Sequence, residues 1–393
     1  MSKDNVVIVA AKRTPMGAFQ GCLSHHSATD LGGFVVKSVV DSSSIKNTDI
    51  DEVFMGCVLP AGLGQAPARQ AALKAGLDEG TPCTTVNKVC GSGMKAVMLA
   101  HDQVLLGNAK VAIGGGFESM TNAPYILDKA RSGYRLGHGK VYDHMFLDGL
   151  EDAYDKGTLM GGFAENTADS YKFTREAQDN FAIESGKRAQ EAQRNKYFSD
   201  EIVAVPGTKK SPEPIEVDEP PIKVKFDKIP KLKPAFRESG TVTAANASSI
   251  ADGAAAMILM LESEAIKRKL TPLAKIHGHT MYAHQPQWFT TAPIGAMKEL
   301  IKKVDWKLDD VDLFEINEAF AVVTMAAIKD LSIPEEKVNV WGGACALGHP
   351  IGASGARILV TLIHALKQRK GKRGVASLCI GGGEATAMAI EVF

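Results

Sequence analysis

Short apolar runs of strand length alternate along the chain with longer stretches whose apolar residues recur at helical spacing. VVIVAA (6–11), DEVFMGCV (51–58), CTTVNKV (83–89) and KVAIGGG (110–116) read as strands, with helices between them around 28–41 and 66–76. After Cys90, the residues Met94, Val97, Met98, Val104 and Leu105 fall at helical spacing and predict one buried face. A second such face, Ile358, Leu359, Leu362, Ile363 and Leu366, predicts a helix that begins near Ser354. Strands and helices in alternation require an α/β layered fold.

The last third of the chain echoes the first. VDLFEIN (311–317) answers DEVFMGC, KVNVWGGA (337–344) answers TTVNKVCG, and GVASLCIGGGEA (374–385) answers KVAIGGGFES, each series ending in a Gly triplet after a strand. Such self-similarity points to two related halves packed together. Between them, residues 121–249 follow neither pattern. Seven of the 17 prolines lie between Pro206 and Pro234, among Lys209, Lys210, Lys223, Lys225, Lys228, Lys231 and Lys233. For most of these residues the reading is a solvated, irregular excursion; the functional alternative is a lid-like insertion whose lysines lie near a phosphorylated ligand.

Composition narrows the classes. A chain of 393 residues, 45% of them hydrophobic, can fill about two or three packed units. Its 45 basic and 45 acidic residues cancel, which argues against a nucleic-acid surface or a polybasic membrane anchor. No run approaches the length of a membrane span, and the six apolar residues before Lys12 are too few for a secretory signal. The six cysteines (22, 57, 83, 90, 345 and 379) form no Cys-x-x-Cys pair and no zinc spacing with histidine. A reduced, cytoplasmic chain is expected, with neither a disulfide framework nor a metal site.

Four segments carry candidate chemistry. In VNKVCGSGMKA (86–96), Cys90 stands where a β-like run gives way to an apolar helix. A helix N-terminus offers N–H groups and positive dipole charge, so a lowered thiol pKa is expected there. Gly91 and Gly93 would let a substrate approach the backbone, and the strand–turn–helix elbow is one that exposes nucleophiles elsewhere. In GGACALGHPIGASGARI (342–358), His349 occupies a Gly-rich loop held by Pro350 and is the candidate base, whereas His25, His26, His277, His279 and His364 read as structural or merely exposed. In FEINEAFAVV (314–323), the amide of Asn317 could hold a water or a carbonyl oxygen, or simply cap a helix. In SLCIGGGEATAM (377–388), Cys379 precedes three glycines whose N–H groups could meet a developing oxyanion; by itself this cysteine reads equally well as core.

Together these segments resemble the thiolase family, in that family's order and spacing. The resemblance runs over essentially the whole chain, from AAKRTPMGAFQG through GLGQAPARQAAL to the closing Gly-rich strand, and is strongest to the acetyl-CoA acetyltransferases. It implies two βαβαβαββ-type halves packed in layers with an inserted loop domain: residues 1–120 plus 250–270, 121–249, and 271–393. It implies a reversible Claisen condensation through an acetyl-Cys90 intermediate. His349 would take the Cys90 proton and share in an oxyanion hole. Asn317 would hold a water that stabilises the enolate, and Cys379 would move the acetyl α-proton. The N–H groups of Cys90 and Gly381 would hold the thioester oxyanion. Leu159 and Met160 of GTLMGGFAENTA (157–168) match the acyl pocket, Ala244, Ser248 and Ile250 of TVTAANASSIADGAAA (241–256) the pantetheine-contacting segment, and Ala319 and Phe320 complete the substrate-binding set.

The implied partners are acetyl-CoA, acetoacetyl-CoA and CoA, all substrates, with no cofactor, metal, nucleic acid or membrane. YRLGHGKVYDHM (134–145) resembles the loop through which the family forms tetramers. Two departures stand out. Leu159 replaces a histidine of many short-chain members, and Cys345 replaces a more familiar apolar residue and reads as packing. A broader-chain 3-ketoacyl-CoA thiolase of fatty-acid β-oxidation is the alternative, since its catalytic residues are the same. A papain-like protease would lack the second thiol before a Gly triplet, and GLGQAP does not supply the Gly-x-Gly-x-x-Gly of a nicotinamide enzyme. Carrier-protein condensing enzymes pair their cysteine with two histidines or with His and Asn, which Cys379 argues against; a non-catalytic lipid-binding relative would lack Cys90 or His349.

Overall fold

A computed structural model describes residues 4–393. Its strands are β1 (Val6–Arg13), β2 (Glu52–Gly56), β3 (Cys83–Val86), β4 (Val111–Ser119), β5 (Ala251–Leu261), β6 (Ala274–Ala283), β7 (Leu313–Ile316), β8 (Arg373–Ile380) and β9 (Glu384–Val392). They line up as β7-β8-β9-β6-β1-β5-β4-β2-β3, with the two-residue strand Gly17–Ala18 also on β5. The order is nearly a palindrome. β2 runs parallel to β3 and β4, and β5 lies antiparallel between β4 and β1. In the other half β7 runs parallel to β8, and β9 lies antiparallel between β8 and β6. A single parallel bridge, Phe314 to Val338, stands where β3 pairs with β2, and the halves meet through a short β1–β6 pairing. The sequence echo is thus an echo of strand order.

The helices are α1 (Ala28–Ser43), α2 (Pro67–Lys74), α3 (Ser92–Leu105), α4 (Met160–Tyr171), α5 (Arg175–Arg194), α6 (Ala292–Lys303), α7 (Ala321–Leu331), α8 (Ala344–Leu347) and α9 (Ser354–Arg369). One core lies between the half-sheets around α3 and α9, a second under α1 and α2, and a third under α6 and α7. Helical and sheet layers therefore alternate. α9 touches α3 and strands of both halves, and every residue from Ser354 to Leu366 is buried, as expected of a helix enclosed on all sides.

Three sequence expectations change. Leu105 ends α3 at 37% exposed, so the buried face stops at Val104. The first Gly triplet lies within β4 rather than after it. There α3 and a loop press on the strand: a Cβ on Gly114 would lie 2.7 Å from Val97 Cα, and one on Gly116 would lie 2.1 Å from the Gly352 carbonyl. The second triplet turns the chain between β8 and β9, with Gly382 and Gly383 at φ 93° and 89°. Third, the middle stretch contains α4 and α5 and is irregular on both sides of them, and all seven lysines of its Lys/Pro part are exposed.

That part is nonetheless anchored. The Arg13 guanidinium of β1 donates to Glu201 at 2.5 Å and bidentately to Asp218 at 2.6 and 2.9 Å, all three groups fully buried. Residues 134–145 overlap a two-stranded ribbon, Tyr125–Ile126 with Tyr142–Asp143, on which Leu136 and Val141 stand in solvent. Among the described residues no helix is long and apolar enough to cross a membrane.

Candidate active site

The elbow before α3 places Cys90. Val89 takes φ 45°, a left-handed conformation that is strained for a β-branched residue. Ser92 braces it: the Lys88 N–H donates to Ser92 Oγ at 2.8 Å, and the Ser92 hydroxyl donates to the Val89 carbonyl at 2.6 Å. Lys88 also pairs with Glu384 at the start of β9, fastening the elbow to the other half. The thiol is left half-buried on a cavity wall, where the backbone N–H groups of Gly381 and of Cys90 itself favour its ionised form. Contrary to expectation, the thiol pKa is not lowered. Burial pushes it up to about 11, and the nearby Glu118 carboxylate adds to the rise, so these effects outweigh the backbone donors. At neutral pH the resting group is a thiol.

His349 reaches the same cavity from the loop between α8 and α9. Its Nδ1 lies 2.5 Å from Ser354 Oγ, whose own proton goes to the Pro350 carbonyl at 3.0 Å. A hydroxyl proton on that carbonyl goes with the tautomer in which Nδ1–H donates to Ser354 and the lone pair lies on Nε2, the form a proton acceptor needs. That Nε2 is buried and has no protein partner. Burial, then the Arg357 charge, pulls the imidazole down to about 3, so the ring is neutral and able to accept a proton.

Asn317 follows β7 and is 1% exposed, with neither side-chain atom bonded to protein. Phe320, not Asn317, occupies the N-cap of α7, so the capping reading falls away. An unpaired buried amide costs about 1–3 kcal/mol, a cost removed when it binds water or a ligand atom. Its neighbour Glu318 is spent on structure. It accepts from Ser185 Oγ at 2.7 Å, Asn339 Nδ2 at 2.8 Å and the Cys345 N–H at 3.0 Å, pinning the backbone that leads to His349. Cys345 packs there, its thiol toward the Glu318 carbonyl, and its edge lines the cavity.

Cys379, near the end of β8, is buried in an apolar cluster with Phe289, Ala319 and Phe320. Burial, and then a negative charge on Cys90 when it ionises, hold this thiol well above its ordinary pKa. The cavity that Cys90 and His349 share has a volume of about 780 Å³ and is mainly apolar. Cys90, His349 and Gly381 line it, as do Leu159, Met160, Ala244, Ser248, Ile250, Ala319 and Phe320; Asn317 and Cys379 lie outside the lining. The segments lock together through backbone bonds. The Ser248 N–H donates to the Ala319 carbonyl and the His349 N–H to the Ser249 carbonyl, each at 2.9 Å, and Ala247 bridges Phe320.

Sequence reasoning missed several contributors. Phe19, Phe236 and Phe289 supply aromatic walls that no motif marks. Lys223, Lys225 and Lys228 line the cavity, while Lys209, Lys210, Lys231 and Lys233 do not. Glu118, fully buried, accepts from the N–H groups of Val58 (2.9 Å), Leu59 (3.1 Å) and Gly352 (2.9 Å). It thereby ties the His349 loop to the N-terminal half. A lone carboxylate ending an apolar strand was its signal.

A half-buried thiol and a neutral base with a free nitrogen on one cavity, with a second thiol packed against its lining residues and an unpaired buried amide two residues before Ala319, are parts that suit an acyl-transfer enzyme that makes or breaks carbon bonds. This chain belongs to the thiolase family: residues 6–263 match the thiolase N-terminal domain and 270–392 the thiolase C-terminal domain. It is 47% identical to the acetyl-CoA acetyltransferase of Cupriavidus necator over 98% of this chain and 99% of that one. Among solved structures it is similar to the acetyl-CoA acetyltransferase of Bacillus anthracis (TM-score 0.97, 41% identity, 100% of this chain and 99% of the other). It is also similar to the Acat5 thiolase of Ascaris suum in complex with coenzyme A (TM-score 0.94, 40% identity, 99% and 100%).

Proposed function

We propose that this chain is an acetyl-CoA C-acetyltransferase, joining two acetyl-CoA molecules into acetoacetyl-CoA and CoA and running the reverse cleavage. The observation that carries the reading is the His349 ring, neutral, with Nε2 unbonded to protein, on the cavity that holds Cys90. The names of the relatives support the substrate class.

In the first half-reaction the Cys90 sulfur attacks the thioester carbonyl carbon, its proton passes to His349 Nε2, and CoA leaves with that proton. A thiol near 11 beside an imidazole near 3 makes a standing ion pair uphill, so the proton moves as the S–C bond forms. The oxyanion meets the Cys90 and Gly381 N–H groups, which already converge on the sulfur. In the second, Cys379, ionised for this step, takes the α-proton of another acetyl-CoA and hands it to the Cys90 sulfur once that sulfur is freed, so each thiol returns to its starting state. Asn317, through a water, and His349 hold the enolate oxygen. The enolate carbon then attacks acetyl-Cys90 and frees its sulfur. Once acetylated, Cys90 cannot ionise, so no thiolate there opposes the ionisation of Cys379. The thioester supplies the activation, so the sequence of steps calls for no cofactor.

Lys223, Lys225 and Lys228 are proposed to meet the phosphates of CoA at the cavity wall, and Leu159 with Met160 to bound the acyl end. Association into tetramers through 134–145 is the matching proposal for Leu136 and Val141; light scattering of Leu136→Asp should give a smaller particle than the parent, and an unchanged mass would refute it. The test of function is the CoA-dependent cleavage rate of 3-ketoacyl-CoA thioesters of increasing chain length. A maximum at acetoacetyl-CoA with a steep fall beyond is expected. A flat or rising profile would assign the chain to the broader degradative thiolases, and no cleavage at any length would overturn the catalytic reading itself.

A further inference from the structure

We propose that His101, Asp102 and His279 form a site for one divalent transition ion of the zinc class, joining the two halves of the fold. His101 and Asp102 lie near the C-terminal end of α3 in the N-terminal half, and His279 lies on β6 in the C-terminal half. His101 Nδ1 and His279 Nε2 are each 2.9 Å from the same atom, Asp102 Oδ1. All three donor atoms fall within 4.8 Å of one another. The two rings stand edge to face, with centroids 5.0 Å apart and planes at 89°, so they approach that oxygen from different directions.

The donor set suits the ion. Two imidazole nitrogens and one carboxylate are the three protein ligands of open zinc sites, which leave a fourth position to water. Donors bound at about 2.0–2.2 Å around one tetrahedral ion stand roughly 3.3–3.6 Å apart, so to admit it the carboxylate would move outward and the two imidazole nitrogens, within 4.8 Å of each other, would draw together. The side chains of His101 and His279 are 10% and 15% exposed, whereas Asp102 is 42% exposed, which gives the ion an entry path and a place for the water. Lys303, whose charge bears on His279, has its ammonium on the His279 carbonyl oxygen at 2.8 Å. None of the three ligands lines the acyl cavity, so the ion would brace the α3–β6 contact and take no part in acetyl transfer.

The competing arrangement is a metal-free clamp in which one carboxylate accepts from two imidazoles. The full chain, stripped with EDTA, should be titrated with Zn²⁺ by calorimetry and with Co²⁺ by visible absorption, beside His279→Ala and Asp102→Asn. All three proteins keep the active-site thiols, so any ion held there is common to them. The proposal expects one additional Zn²⁺ in the parent, lost or weakened on the order of 100-fold in both variants. It also expects visible Co²⁺ bands of a four-coordinate ion and a rise of a few degrees in Tm on Zn²⁺ addition in the parent alone. Asp102→Asn keeps an oxygen that can accept from one histidine, so this variant should fold even if His279→Ala does not. Equal stoichiometry and affinity in parent and Asp102→Asn, or no additional ion in the parent at millimolar Zn²⁺, would overturn the site.

Discussion

In the N-terminal half Val89 takes φ 45° and leads through Cys90 into α3; in the C-terminal half Gly342 takes φ 78° and leads through Gly343 into α8. These are corresponding points of the sequence echo, and the chain turns in the same left-handed way at both. They differ in what fills the space beyond the turn. Cys90 projects its sulfur into the cavity. A Cβ on Gly343 would lie 2.3 Å from the Glu318 carboxyl carbon, because that carboxylate occupies the matching space. The helices differ accordingly. α3 continues for its full length, while α8 stops at Leu347, and Gly348 at φ 91° sends the chain into the loop that carries His349. A duplicated fold thus supplies two dissimilar reagents: one half keeps the elbow for a nucleophile, and the other interrupts its helix to seat a base.

The largest effects should come from separating the two thiols. Cys90→Ser should abolish acetyl-enzyme formation and lower turnover by about 10⁴-fold or more. Cys379→Ser should still acetylate Cys90 on mixing with acetyl-CoA, seen as a mass increase of the intact protein, yet fail to condense. Normal condensation by Cys379→Ser would end the two-thiol scheme, and acetylation at normal rates in a Cys90→Ala protein would end the nucleophile assignment.

The next largest effect is on the turns themselves. Gly342→Ala would place a Cβ 2.4 Å from the Ser185 carbonyl oxygen in a left-handed residue, and should destabilise by about 3–4 kcal/mol. Val89→Gly relieves the same backbone strain at the cost of unfolded-chain entropy, so the two terms nearly cancel and the change should stay within about 1 kcal/mol. Urea unfolding of both variants measures the contrast. Equal losses would mean the two turns are not built alike.

How much of this was legible in the sequence follows from range. The alternation of strands and helices and the helix beginning at Ser354 depend on local patterning and are found in place, and of the four chemical residues Cys90 and His349 share one cavity. Burial energetics were not legible. The helix N-terminus before Met94 promised an acidic thiol, but the desolvation that reverses its shift comes from walls contributed by distant segments. The Gly triplets read alike, yet Gly116 is small because Gly352 presses on it, whereas Gly382 is a turn residue. Ser354 looked like a mere helix start and proves to hold His349 Nδ1. His279 read as bland because its partners lie far away in the chain.

The smallest predicted effect sets the two buried carboxylates of the site against each other. Glu318 is bonded partly by side chains of its own half, whereas Glu118 holds three backbone N–H groups, one of them on the His349 loop. Burial raises Glu118 from the ordinary 4.5 to about 7. The folded protein therefore holds this proton more tightly than the unfolded chain does. The stability so gained is whole below about 4.5 and is lost as pH rises through 7. Glu118→Gln cannot ionise, so between pH 5 and 7.5 the parent should lose about 2 kcal/mol that the variant keeps. The difference between the two unfolding curves isolates this group from every other titrating residue. Because the Glu118 charge also raises the Cys90 thiol, alkylation of Cys90 in the variant should shift to lower pH. A pH-independent stability difference together with an unmoved alkylation profile would show that Glu118 is ionised throughout and electrostatically remote from the nucleophile; the His349 loop would then be held to the N-terminal half by a permanent carboxylate, as a fixed strut with no bearing on the Cys90 proton.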